Sequence, residues 1–278
     1  MSGTSLDGLD ICYVHFTKQT KWSYKILSAE TIPYNVDWEN RLRNAVNVSA
    51  SEFCQLNSDY GFYLGHCVQD FIKKYQIPNV DLIASHGQTI FHQPQNFYTT
   101  QIGDGRAIKE VTGITTIYDF RSQDVIKGGN GAPLVPIGDQ LLFSEFDACI
   151  NLGGFSNISF DENGQRIAFD ICPVNFVLNR YAKLLDYHYD NGGKLARKGH
   201  VDEHALELLN DLEFYKQSYP KSLGSEWVDQ YFFKIIQNLS PIDALATCTK
   251  HASQQISNVI NQHHFTKVLF SEIGRAHV

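Results

Sequence analysis

Two short glycine-bearing turns, Gly3-Thr-Ser-Leu-Asp-Gly8 at the start and Asn151-Leu-Gly-Gly-Phe-Ser-Asn157 past the midpoint, constrain this chain more than any other feature. Each adjoins a segment patterned as a β-strand. Glycine admits backbone conformations in which several N–H groups converge on one anion, so each turn suits a phosphate. One such turn alone reads equally well as an ordinary hairpin. A pair, one per half, points to a duplicated unit. Other phosphate loops fit poorly. Gly193-Lys194 is followed by Leu195 where a P-loop needs a hydroxyl residue, and Gly103-Asp-Gly105 has Ile108 where a dinucleotide fingerprint needs its third glycine.

A chain of 278 residues with 43% hydrophobic content can form two domains. The expected boundary lies near residue 131, giving a first domain at 1–131 and a second at 132–271. The formal charge of −7, with scattered Lys and Arg, argues against a nucleic-acid partner. No apolar run suits a membrane span and the N-terminus has no secretory pattern, so no membrane and a cytoplasmic location are expected. The six cysteines form no Cys-x-x-Cys pair and read as buried free thiols. The histidines show no ligand spacing, so no structural metal is assigned.

Paired strands are expected over 11–16 and 24–32, and helices over 38–48 and 51–75, the second capped by Ser51. Short buried strands are expected at 81–85, 114–118 and 148–152, each ending in a polar turn. A second strand-rich series at 150–169 precedes helices over 174–185, 204–212, 227–239 and 243–260, and 267–271 reads as a final strand. Polar turns at strand ends are where open α/β sheets bind ligands.

Asp170, in Phe169-Asp-Ile-Cys-Pro-Val-Asn175, follows an apolar strand and precedes a helix. It reads as a catalytic carboxylate, or else as a helix cap or a strand-end acid. His86, Gln88, Arg121 and Asp124 follow two of the short strands. An Arg121 guanidinium suits a ligand carboxylate. The alternatives are an ion pair of Arg121 with Asp119 or Asp124, and a core role for His86.

Taken together, Met1-Ser-Gly-Thr-Ser-Leu-Asp-Gly8, Ala84-Ser-His-Gly-Gln-Thr89, Gln101-Ile-Gly-Asp-Gly105, Asp119-Phe-Arg-Ser-Gln-Asp124, Gly128-Gly-Asn-Gly-Ala-Pro133, Asn151 to Asn157, Asn191-Gly-Gly193 and Ser222-Leu-Gly-Ser-Glu-Trp227 resemble, in order, the anhydro-N-acetylmuramic acid kinase family. The resemblance covers residues 1 to about 271. It implies an α/β fold of the two-domain actin-like ATPase (ribonuclease H-like) type, with mixed sheets flanked by helices and an incomplete second domain. It implies ATP as phosphoryl donor, with Gly3, Thr4, Ser5, Leu6, Asp7, Gly8, Leu9, Asp10, Asn151, Gly153, Gly154 and Asn157 around the nucleotide. Asp7 or Asp10 would help hold Mg²⁺, with turn chemistry as the alternative, stronger for Asp7 because it precedes glycine.

The same resemblance makes Asp170 a general base and His86, Gln88, Arg121, Asp124 and Asn175 sugar-binding residues. Water deprotonated by Asp170 would attack the anomeric carbon while O6 leaves onto the γ-phosphoryl group. Ile171, Cys172 and Val174 depart from the family's Asp-Thr-Gly-Pro-Gly-Asn pattern. A small-molecule sugar is the implied partner, with a homodimer allowed. Three alternatives stand beside this reading: another sugar or acyl-phosphate kinase of the same fold, a nucleotide-gated binding protein, and an inactive homologue. Relatives continue past a strand like 268–271, so the chain reads as truncated at its C-terminus. Residues 272–278 match a translated sequencing adapter and read as a non-native tail.

Overall fold

The computed structural model describes Ser2, Leu6 and residues 8–271, in two compact units that meet in sequence between Leu134 and Val135. In the first unit, β1 (Leu9–Lys18) and β2 (Trp22–Ile32) form an antiparallel hairpin rich in the β-branched and aromatic residues that suit a pleated surface. Helix Val36–Asn44 starts at Asn35, whose side chain accepts the Trp38 amide. Helix Ala50–Lys74 starts at Ser49, which corrects the Ser51 expectation. Ser49 has Glu52 three residues on, so the two side chains satisfy each other's backbone N–H groups, whereas Ser51 is followed at that spacing by Cys54. Ser49→Ala is expected to lower stability by about 1 kcal/mol. Thermal denaturation reads this directly, and an unchanged midpoint would show that the cap contributes nothing.

β3 (Ile83–Ser85), β4 (Gln88–Gln93), β5 (Tyr98–Ile102) and β6 (Thr116–Tyr118) follow, β3 pairing with β6 in parallel and β4 with β5 antiparallel. Sequence periodicity does not reveal the β4–β5 hairpin, whose Gln, Thr and His content is too polar to signal a strand. It also misses helices Gly105–Thr112 and Ser122–Ile126. Leu6, Trp38, Leu42, Tyr60, Leu64, Ile102 and Ile108 form this unit's core. Each large apolar side chain buried is worth roughly 1.5–3 kcal/mol. An ion pair such as Arg41–Asp59, with both side chains 35% exposed, adds at most about 1 kcal/mol, so packing dominates.

The second unit opens with helix Val135–Leu142 and then builds a four-stranded sheet from β7 (Ala148–Leu152), β8 (Phe155–Glu162), β9 (Gln165–Pro173) and β10 (Val268–Ser271). Its order is β10-β7-β8-β9, an antiparallel meander with β10 returning parallel to β7. Helix Pro241–Gln262, capped by Ser240, packs two clusters at once. Leu245 and Cys248 join Phe232, Ile236 and Leu209 in one; Ala252 joins Ile150, Ile158 and Phe160 in the other. All six cysteines are free, but Cys12 and Cys54 are exposed, contrary to the expectation of burial. Among the described residues no helix is long and apolar enough to cross a membrane.

Candidate active site

Strand register assembles a polar row across the second unit's sheet. Ser271 pairs with Asn151, Asn151 with Asn157, and Asn157 with Asp170. Residues directly opposite each other share a face, so these four side chains line one face of the sheet over roughly 14 Å, about 4.8 Å per strand step. The neighbouring row, Ile150, Ile158 and Phe169, points the other way into the core. Asn151 Nδ2 donates to Ser271 Oγ at 3.2 Å.

Asp170 lies within β9, beside a register shift. Asn157 pairs with Asp170 but Ser156 pairs with Cys172, leaving Ile171 as an extra residue. Such a bulge re-aims the adjacent side chain. The helix-cap alternative for Asp170 is thereby overturned, since helix Asn175–Lys183 starts after Val174 and has no side-chain cap. Asp170 Oδ2 accepts the Leu223 amide at 2.8 Å, and its own amide donates to the Lys221 carbonyl at 3.1 Å. Burial raises its proton affinity above the ordinary carboxylate range, and the Leu223 N–H, which favours the ionised form, opposes this in part. A half-buried carboxylate with raised affinity and an amide donor suits a general base.

The second glycine turn is tied to the segment after Asp170. Gly154 O accepts from the Val174 and Phe176 amides at 2.9 and 3.0 Å, and Gly153 O from the Asn175 amide at 3.2 Å. Asn175 Nδ2 donates to Leu152 O at 3.0 Å, so Asn175 braces the turn. With these carbonyls engaged, the Gly153 and Gly154 N–H groups make no backbone hydrogen bond among the described residues. Neither glycine has a positive φ, and a Cβ added to Gly154 would meet only Phe176 Cβ at 3.8 Å. Neither backbone strain nor packing therefore calls for glycine at 154. Open space at Gly154, beside two amides without a backbone hydrogen bond to a described residue, does suit a close anion.

In the first unit, Gly87 turns the chain between β3 and β4 at φ +70, where a Cβ would strike the Ile102 carbonyl at 2.3 Å. His86 and Gln88 flank it. Arg121 Nε donates to His86 Nε2 at 3.0 Å, which fixes that nitrogen as the acceptor and places the ring proton on Nδ1, 3.0 Å from Gly87 O. Burial, and more weakly the nearby Arg121 charge, hold His86 below the usual histidine range, so it stays neutral. Arg121 Nη1 donates to Gly131 O at 2.6 Å, and the Gly131 amide donates to Asp124 Oδ2 at 2.7 Å. No ion pair joins Arg121 to Asp119 or Asp124 among the described residues, which overturns that alternative. Arg121 Nη2 has no hydrogen bond to a described residue.

Gln88 is buried at 4% exposure, and its carboxamide oxygen accepts from Ser2 Oγ, which also accepts from Tyr34 at 2.7 Å. Ser2 bridges to Leu9 and so closes the first glycine turn, whose Gly3, Thr4, Ser5 and Asp7 lie outside the described residues, as does the expected tail at 272–278. Leu6 is buried with φ 54, an uncommon left-handed conformation for leucine. Gly8 and Leu9 are buried, and Asp10 Oδ1 accepts the Thr31 hydroxyl at 2.6 Å. No cluster of metal-ligating side chains occurs among the described residues. Sequence reasoning assigned no role to Ser271, Gly131 or the Leu223 amide. The string from Ser222 to Trp227 was the available signal for Leu223.

Against known proteins, the family model described as anhydro-N-acetylmuramic acid kinase matches residues 1–275. Relatives bearing that name include one from Pseudoalteromonas translucida, 33% identical, covering 94% of this chain and 72% of the relative. One from Zymomonas mobilis is 35% identical over 94% of this chain and 75% of its own length. A third, from Bacillus cereus strain G9842, is 32% identical over 97% of this chain and 75% of its own length.

Proposed function

Because this chain belongs to the anhydro-N-acetylmuramic acid kinase family, we propose that it uses ATP to open the 1,6-anhydro ring of anhydro-N-acetylmuramic acid and phosphorylate O6, in cell-wall recycling. The polar row Asn151–Asn157–Asp170, on the sheet that carries the Gly153-Gly154 turn, whose amides make no backbone hydrogen bond to a described residue, carries this reading at the level of residues. Asp170 takes a proton from water, the water oxygen bonds to the anomeric carbon, and the bond from that carbon to O6 breaks. O6 receives the γ-phosphoryl group, giving N-acetylmuramic acid 6-phosphate and ADP. The departing oxygen takes its charge onto phosphorus, so one protein carboxylate suffices where an inverting glycosidase needs two.

The Gly153 and Gly154 amides are the phosphate donors in this unit, and Asn151 and Asn157 present carboxamides beside them. Asp10 would be the described carboxylate nearest the first turn able to support Mg²⁺, which when bound neutralises phosphate charge. Arg121, with His86 behind it, would take the sugar's lactyl carboxylate. Gln88 and Asp124 support from behind, through Ser2 and Gly131. A meander joined by a parallel strand after a helical crossover, as in β7–β10, supports an actin-like, ribonuclease H-like unit.

Turnover in ¹⁸O-labelled water tests the reaction. The label is expected at the anomeric hydroxyl of a 6-phosphorylated product, with one ADP formed per ring opened. A phosphorylated sugar without label would instead identify a kinase acting on an ordinary hydroxyl.

A further inference from the structure

Asp170 sits on an edge strand, and the outer side of that edge is completed by residues outside the sheet. The Lys221 carbonyl takes the Asp170 amide and the Leu223 amide meets the Asp170 carboxylate. Residues 221–223 thus act as a short clamp on the base, and something must hold the clamp. Gln217, Ser218, Pro220 and Ser222 around it are exposed. The Lys221 ammonium is turned inward: Nζ donates to the Phe214 carbonyl at 3.1 Å and lies 4.7 Å from the Phe214 ring centre and 5.8 Å from that of Phe169. Phe214 is itself buried against Trp227 at 5.3 Å. Tyr219 holds the other end, stacked on Phe169 at 5.2 Å with its hydroxyl donating to Glu162 at 2.7 Å.

From this geometry we propose that Lys221 is a positioning residue for the reaction, anchoring the 221–223 segment so that the Leu223 amide fixes the Asp170 carboxylate for proton abstraction. Lys221 does so from the opposite side of β9, through Phe214 and Phe169, the immediate neighbour of Asp170. The inference rests on Asp170 being the base. Loss of the anchor loosens the Leu223 hydrogen bond, which among the described residues is the one that favours ionised Asp170. Proton affinity then rises, and activity, which needs the ionised form, fails at a higher pH than in the parent. The titratable groups packed around the clamp are Lys221, Tyr219 and Glu162, with the His263 ring 6.0 Å from the Tyr219 ring and Tyr215 and Lys216 lining the same pocket. No charged side chain is among the causes of the Asp170 shift.

The test is Lys221→Met, which keeps the apolar stem and removes the ammonium, assayed across pH beside Lys221→Arg and Asp170→Asn. Lys221→Met is expected to lower kcat about tenfold at neutral pH, to move the acidic limb of kcat upward, and to leave KM for ATP and sugar within about twofold. Lys221→Arg should restore most of the loss. An unchanged kcat, a fall in kcat with an unmoved acidic limb, or a rise in KM with kcat retained would each overturn the proposal. Asp170→Asn separates the two claims, because turnover retained there removes Asp170 as the base whatever Lys221→Met does.

Discussion

Asp170→Asn is expected to reduce kcat by about 10³-fold while ATP still binds, a loss of about 4 kcal/mol in transition-state stabilisation. The substitution is close to isosteric, and the asparagine oxygen can still accept the Leu223 amide that Asp170 Oδ2 accepts at 2.8 Å. The row with Asn157 and the bulge at Ile171 depend on the backbone, so they should survive. What is lost is the capacity to take a proton. Stability should move the other way. Because burial raises the Asp170 proton affinity, its protonated form is the one the fold favours. Its stabilising contribution is complete at low pH and is lost as pH rises through the raised folded value, so at neutral pH the ionised side chain is a net cost. Asparagine removes that cost, and the variant should melt at an equal or higher temperature. Turnover within tenfold of the parent, or loss of ATP binding, would remove Asp170 from this role.

The second large effect is expected at Arg121. Arg121→Met should raise KM for the sugar by roughly 10- to 100-fold with a smaller change in kcat, the range for losing a hydrogen-bonded charge worth about 1.5–3 kcal/mol. His86 occupies Nε and Gly131 O occupies one Nη1 proton, which leaves the rest of the Nη1/Nη2 end of the guanidinium without a hydrogen bond to a described residue. That end is the fork that matches a carboxylate. A substrate analogue whose carboxylate is esterified should bind parent and variant alike; if the ester still discriminates between them, Arg121 reads something else. His86 adds a pH signature. Its folded value is depressed, so it stays a neutral acceptor through the neutral range and into mild acid. As pH falls through that depressed value, the ring protonates, two cations face each other, and sugar affinity should drop.

Particular residues show why some of this was legible. Helix Pro241–Gln262 announces itself because propensity and burial agree along one stretch of chain, whereas the β1–β2 hairpin does so through β-branched and aromatic propensity alone, most of its side chains being exposed. The β4–β5 hairpin does not, since its Gln, Thr and His side chains answer to polar neighbours, Gln88 to Ser2 and His92 to Thr99, rather than to an apolar face. Capping logic points to Ser51, which lies inside the first turn of helix Ala50–Lys74, and only the partner Glu52 decides in favour of Ser49. The Arg121 alternatives were undecidable in one dimension. His86 is 35 residues away in sequence, and its neutral nitrogen displaces the nearer aspartates as partner.

By itself the sequence determined the family, and it marked the two glycine-bearing segments and Asp170 as candidates, because these reside in residue type and order along the chain. Tertiary structure decided which side chains meet. Register across β10, β7, β8 and β9 lines up Ser271, Asn151, Asn157 and Asp170, and a one-residue slip would send the row to the opposite face. The partners of Asp170, the Leu223 amide and the Lys221 carbonyl, come from a segment more than fifty residues later. Backbone groups carry no residue signature, and only folding brings them to the carboxylate.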